Sequence, residues 1–291
     1  MERRSFLLAC TIGGLGLAMG SAFAREEQNP ANLRVALLPD ENASTIIQNA
    51  LPLKKYLEEA LRKDIELIVT TDYSSMIEAM RFGRIEVAYF GPLSYVLAKS
   101  KAPGIEPFAV GVSKGSATYK SVIVTRLDGP VKSLADIKGK MMGYGDFAST
   151  SSHLIPRALL ARHGLFGDTD YKYVLLGAHD AVARAVQSGQ VQAGGLSQEI
   201  FKSLVAKGSI DGDRVIVLAE SDPIPNYPVA MQGYLAPELK AAIRTAFLEL
   251  NDKEILKTFR AEAFVATDDH AYDILRETAK LLDLDLSKLK G

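Results

Sequence analysis

The chain reads as an α/β protein of two lobes, each a mostly parallel sheet flanked by helices. Three observations predict this. The first is an internal duplication: the stretch from Tyr73 to Gly83 and the stretch from His179 to Gly189, 106 residues further on, share one layout. In each, a polar aromatic residue opens a helix-like run and a glycine follows ten residues later, where a helix end calls for a left-handed backbone. The second is helical spacing inside both runs, with Met76, Ile77 and Met80 in one and Val182 and Val186 in the other. The third is the alternation of strand-like with helix-like segments, which argues for βαβ units and parallel sheets.

The elements follow in order. Residues 34–38 form an apolar strand that leads to Asp40, and a helical run covers 44–62. Residues 65–69 form a second strand before the helix that starts at Tyr73, and a third strand-like segment follows Gly83. The second copy begins with residues 141–145 leading to Asp146, then a helical run over 150–163. A strand over 171–176 and the helix at His179 complete it. Two such units facing each other would leave a cleft between them. The proline-bearing segments 125–133 and 222–229 are the expected crossings between lobes. The first lobe is then 31–122 plus 230–291, the second 123–229. Helical spacing over 237–250 and 272–282 places the tail on the first lobe.

The N-terminus carries a targeting segment. Arg3 and Arg4 precede a glycine-rich apolar stretch from residue 7 to 19, and Ala22, Phe23 and Ala24 supply small residues for cleavage. The stretch is too short to span a hydrocarbon layer of about 30 Å. It reads as an export signal cleaved after Ala24, of twin-arginine or ordinary secretory type, and places the protein in the periplasm. Cys10, the only cysteine, leaves with it, so no disulfide is available to the mature chain. The 267 residues left of 291 suffice for two domains. Loss of Glu2, Arg3 and Arg4 moves the formal charge from −1 to −2. Near neutrality without a Lys or Arg run argues against nucleic acid as a partner.

The most pointed segment is the run Ser149, Thr150, Ser151, Ser152, which follows a strand and opens a helix. One hydroxyl would serve as an N-cap. Four place side-chain donors beside the free N–H groups of a helix N-terminus, a spot that favours a tetrahedral oxyanion. Tyr73 and His179, matched by the duplication, would face this anion from opposite lobes with phenolic and imidazole donors. His153 and His163, inside a predicted helix, read as structural, and His270 as a solvated surface residue. Gly111, Ser113 and Gly115 match the letters of a nucleophile elbow, but a turn follows instead of a helix. No metal-ligand spacing is present and no cofactor is expected.

These residues resemble a known family. The carriers are Thr71 to Tyr73, Glu78 to Gly83, Val87 to Ser94, Tyr119 to Ser121, Leu134 to Lys140 and Gly145 to Pro156. Together they resemble the phosphate/phosphite/phosphonate-binding proteins of ABC importers, across essentially the whole mature chain. The resemblance implies the type II periplasmic-binding-protein fold with a two-segment hinge and a ligand buried between lobes. It implies that Ser149, Thr150 and Ser151 hold the oxygens of a phosphorus group, with Tyr73 and His179. It puts the second-pocket aromatic at Phe90, and at Glu199 an acid that meets an amino group in aminoalkylphosphonate binders. The companion acid of those relatives falls at Tyr227, which points to a small ligand without an amino group: phosphite, methylphosphonate or phosphate. The expected protein is a monomeric, non-catalytic receptor that hands a phosphorus oxyanion to an ABC permease, held by neutral donors. An enzyme or a sensor on the same scaffold is the alternative.

Overall fold

A computed structural model describes residues 28–282 together with residue 284; the expected export segment lies outside them. The chain opens with β1 (Asn32–Leu37), α1 (Ala43–Leu61), β2 (Asp64–Val69), α2 (Tyr73–Arg81), β3 (Val87–Tyr89), α3 (Pro92–Lys101) and β4 (Glu106–Val112). A short β5 (Thr118–Tyr119) leads into the second unit: β6 (Ser121–Arg126), β7 (Met141–Tyr144), α4 (Ile155–Arg162), β8 (Lys172–Leu175), α5 (His179–Ser188), β9 (Ala193–Ser197), α6 (Gln198–Ala206) and β10 (Val215–Glu220). The chain then returns through β11 (Ile224–Pro225) to β12 (Pro228–Met231), α7 (Pro237–Leu248), α8 (Lys253–Thr258), β13 (Ala263–Ala266) and α9 (Asp273–Leu281).

The duplication is one of topology. The first sheet runs β2-β1-β3-β12-β4-β13 and the second β8-β7-β9-β6-β10. In each, the first three strands are parallel, and the fourth and fifth are antiparallel to their inner neighbours. The glycines that close the matched helices do what the sequence requires of them: Gly83 and Gly189 adopt φ of 63° and 80°, where a side chain would be strained.

The strands that cross into the opposite sheet, β6 and β12, each follow one strand of the antiparallel β5–β11 ribbon, where Tyr119 pairs with Ile224 and Thr118 with Pro225. Thr125 and Arg126 lie inside β6, in the second sheet. The first crossing therefore comes earlier than the 125–133 stretch expected from its proline, which instead forms a turn within the second lobe. The chain returns to the first sheet through β11 (Ile224–Pro225) and β12 (Pro228–Met231).

Alternation along β6 builds the second lobe. Val122 and Val124 face one apolar layer with Val186, Leu196 and Ile200, while Ile123 faces the other with Met142, Tyr144 and Leu160. Gly194 and Gly195 let helices lie tight on β9: an added Cβ would sit 2.6 Å from Val182 and 2.5 Å from Pro156. The tail packs on the first lobe, with Phe247 of α7 edge-on to Phe108 at 5.6 Å and the Tyr56 hydroxyl donating to the Ala246 carbonyl at 2.7 Å. These contacts hold the two sheets rigid on either side of the cleft. The segments that follow β1, β2 and β3 meet those that follow β7 and β8 there.

Candidate functional site

The loop after β7 divides its hydroxyls among separate tasks. Gly145 must be glycine, because an added Cβ would meet the Ser152 hydroxyl oxygen at 2.8 Å. That oxygen accepts the Gly145 N–H at 2.8 Å and donates to the Gly195 carbonyl, tying the loop to β9. Ser149 accepts the Ser152 N–H at 3.1 Å and caps the turn that follows. That turn, Thr150–Leu154, is a single wide π-turn closed by Leu154 N–H donating to the Ser149 carbonyl at 3.1 Å. Thr150 reaches across the cleft and accepts the Leu93 N–H of α3 at 2.8 Å. Ser151 is buried and its hydroxyl has no partner.

Tyr73 opens α2, whose cap Asp72 accepts the Ser75 N–H at 2.6 Å. The ring is buried, and its hydroxyl lies beside Ser149 without reaching hydrogen-bond geometry. Burial drives its pKa well up, with the charges of Asp40 and Asp146 adding to the effect, so it stays a donor. His179 opens α5. Its Nδ1 accepts the Ser197 N–H at 3.0 Å, which puts the ring proton on Nε2. Nε2 faces the Ser149 hydroxyl at 3.5 Å. Burial, reinforced by the Arg260 charge, lowers the His179 pKa to about 3, so the ring is neutral at ordinary pH.

Tyr119, on the hinge ribbon, is the residue the sequence reading left out. Its buried hydroxyl has no partner, and the Ser151 and Thr150 hydroxyls lie beside it. Among the described residues, the buried side-chain polar atoms without a partner are the Tyr73, Tyr119 and Ser151 hydroxyls. They come from the first lobe, the hinge and the second lobe: Tyr73 lies beside Ser149, which faces His179, and Tyr119 lies beside Ser151 and Thr150. Buried polar groups are nearly always satisfied. Three unpartnered hydroxyls, with the His179 Nε2–H facing the same loop, make a set of neutral donors, a candidate cradle, that could hold an oxyanion. Tyr119 lies within one of the sequence stretches that carry the family resemblance, so a signal for it was present.

The other expected residues fall in two places. Glu199 and Tyr227 line one cavity of about 230 Å³, together with Tyr119, Tyr89 and Arg260. Tyr227 is buried, tilted against Tyr89 at 5.4 Å and edge-on to Tyr119 at 5.2 Å. Glu199 is exposed at the cavity's mouth and pairs with Lys202 at 3.0 Å. Phe90 lies apart from that cavity wall. It is fully buried with its ring 6.5 Å from Tyr95, while its neighbour Tyr89 turns to the cavity.

A charge cluster that the sequence reading did not foresee adjoins the cavity. Arg260, held at φ 54° just beyond α8, lies 3.5 Å from Asp40 and pairs with Glu41. Asp40 is buried, and burial lifts its pKa to about 6 against the pull of Arg260. One cation is thus shared by two acids, and neutral groups are left to meet a ligand. No group of His, Cys, Asp and Glu able to hold a metal is present among the described residues.

Known proteins resemble this chain over most of its length. The phosphate-import protein PhnD of Mycolicibacterium smegmatis is 27% identical over 266 residues, spanning 86% of this chain and 82% of the relative. The phosphonates-binding periplasmic protein of Escherichia coli is 25% identical over 274 residues, spanning 91% and 80%. Among solved structures, PhnD1 of Prochlorococcus marinus in complex with methylphosphonate superposes with a TM-score of 0.80 at 22% identity, over 88% of this chain and 99% of that one. The periplasmic aliphatic sulphonate binding protein of Escherichia coli superposes less well, with a TM-score of 0.58 at 18% identity over 88% and 87%. The fold is that of the type II periplasmic binding proteins. The model of the phosphonate ABC transporter periplasmic substrate-binding proteins matches residues 35–272, and the chain belongs to that family.

Proposed function

We propose that the chain captures a small phosphorus oxyanion, namely methylphosphonate, phosphite or phosphate, and delivers it to an ABC permease. The observation that carries this is the set of orphaned hydroxyls on Tyr73, Tyr119 and Ser151 beside the Nε2–H of His179. Each hydrogen bond to a charged acceptor contributes about 1.5–3 kcal/mol net. Four of them supply about 6–12 kcal/mol, a range that spans the roughly −8 kcal/mol of micromolar binding. Thr150 joins them: its oxygen accepts from Leu93, and its own proton is left to donate. The packed rings of Tyr227, Tyr119 and Tyr89 wall the cradle off from the cavity at Glu199, which favours a ligand with no long tail. Glu199, exposed and paired with Lys202, would serve at most the outer end of a longer ligand.

Members of this family are transport binding proteins rather than enzymes. Maturation by cleavage after Ala24 and a monomeric state in the periplasm are part of the same proposal. Isothermal calorimetry with methylphosphonate, phosphite, phosphate, 2-aminoethylphosphonate and methanesulfonate side by side tests it. Submicromolar binding of one of the first three is expected. Preference for methanesulfonate, or turnover of a phosphonate in the phosphorus spectrum, would refute it.

A further inference from the structure

Three helices present their N-termini to the cleft, and each is capped from the opposite lobe. The first N–H of α2, on Tyr73, donates to the Asp146 carboxylate at 3.3 Å. The Leu93 N–H of α3 donates to the Thr150 hydroxyl, and the His179 N–H of α5 donates to the Asp40 carbonyl at 3.0 Å. Helix N-terminal N–H groups have no partner within their own helix and must be satisfied elsewhere. In an open protein water would do this; in the closed one only the other lobe can.

Asp146 is the charged member of the set, and both its oxygens are committed. Oδ1 accepts the Ala148 N–H at 2.8 Å inside its own loop, and Oδ2 takes the Tyr73 N–H across the cleft. The residue it caps is the one whose hydroxyl enters the cradle. A carboxylate at a helix N-terminus also gains from the helix dipole, although burial, and after it the charge of Asp72, raises the Asp146 pKa against the two N–H bonds it accepts. We infer that Asp146 is a positioning residue that latches the closed form, fixing Tyr73 over the ligand and slowing ligand escape without touching the ligand. This rests on the reading that an oxyanion binds between the lobes, and it goes beyond it by separating the closing contact from the binding contacts.

Asp146→Asn isolates the latch. Its single carbonyl oxygen can keep the Ala148 contact, which leaves an amide N–H₂ facing the Tyr73 N–H, donor against donor. With methylphosphonate as probe and tyrosine fluorescence as signal (the chain has 11 tyrosines and no tryptophan), dissociation should speed up by about tenfold or more. Association should stay within about twofold, because encounter takes place with the lobes open. Amide exchange at Tyr73 should accelerate in the variant, and the ligand-free melting temperature should fall by less than in Asp146→Ala. Asp146→Ala, which also loses the Ala148 turn, should weaken association as well. Unchanged dissociation and unchanged Tyr73 exchange in Asp146→Asn would overturn the latch. So would a fall in melting temperature as large as that of Asp146→Ala, since Asp146 would then only shape its own loop. The exchange is read without ligand too. A parent that failed to bind methylphosphonate would sink the ligand reading, while the latch still stood or fell on Tyr73.

Discussion

Tyr119→Phe should weaken ligand binding while leaving the ligand-free protein as stable as before or more so. The substitution keeps the ring, and with it the edge-on contact with Tyr227, and removes one oxygen. That oxygen is buried and has no partner. In the liganded protein it would donate to a charged acceptor, so its loss costs about 1.5–3 kcal/mol, or roughly a 10- to 150-fold rise in Kd. In the ligand-free closed protein the same oxygen is a desolvated donor, a burden of about 1–3 kcal/mol that phenylalanine relieves. Opening of the lobes to water would reduce that gain toward zero without changing its sign. At about 2–4 °C per kcal/mol for a chain of this size, the melting temperature should rise by between zero and several degrees. Calorimetric titration with methylphosphonate and scanning calorimetry of the ligand-free protein measure the two effects. Parental affinity in the variant, or a clear loss of ligand-free stability, would show that the hydroxyl has a structural partner and is no part of the cradle.

Thr150→Ala should raise Kd for every phosphorus ligand by about 10- to 150-fold or more, since it removes both a donor and the acceptor for Leu93; titration of phosphite and methylphosphonate checks it. Tyr227→Asp should open the wall toward Glu199 and shift preference from the small ligands to 2-aminoethylphosphonate, at a cost of several kcal/mol with the former; an unchanged ranking in side-by-side titrations would remove Tyr227 from ligand choice. Stability should fall as pH drops from 7 to 5. His179 at about 3 and His153 at about 4 stay neutral in the fold while the unfolded chain takes up protons below its ordinary 6.5. Each then loses about 2 kcal/mol over that range. Asp40, raised to about 6, binds a proton earlier folded than unfolded and returns roughly 1 kcal/mol as pH falls through 6. The net loss is roughly 2–3 kcal/mol, and His179→Gln should remove a large part of it in urea titrations at the two pH values.

What the sequence disclosed is what local chemistry encodes. Gly83 and Gly189 had to take left-handed angles, Tyr73 and His179 had to stand at helix starts, and the hydroxyl run had to sit between strand and helix. Each of these follows from a few neighbouring residues. The duplication then raised local signals to a two-lobed architecture, because matched elements in matched order leave few topologies. Phe90 and Tyr89 show the limit: Tyr89 ends a three-residue strand and Phe90 follows it, and a single step along the chain decides which side chain meets the cavity. The first crossing was misplaced for a similar reason. The proline of the 125–133 stretch marks a turn, and a turn inside a lobe carries the same residues as one between lobes.

The hydroxyl run exceeded the need for a cap, but only the fold could divide it. Ser149 and Ser152 are consumed within the loop, Thr150 spans the cleft, and the Ser151 hydroxyl has no partner. The charge balance was beyond reach for a different reason. Arg260 meets Asp40 across 220 residues of sequence, and no local pattern announces the pairing. Its effect is nonetheless central. Because Asp40 and Glu41 both hold that one guanidinium, the cluster carries a net charge of −1 when Asp40 is ionised. An anion entering the cradle therefore finds no free cation. In the proposed site it would be held by hydroxyls and an imidazole N–H, whose bonds are strong only when the lobes exclude water. A site of that kind gains most of its affinity on closing. The contacts that join the lobes, at Asp146, Thr150 and Asp40, are then as much a part of binding as the donors themselves.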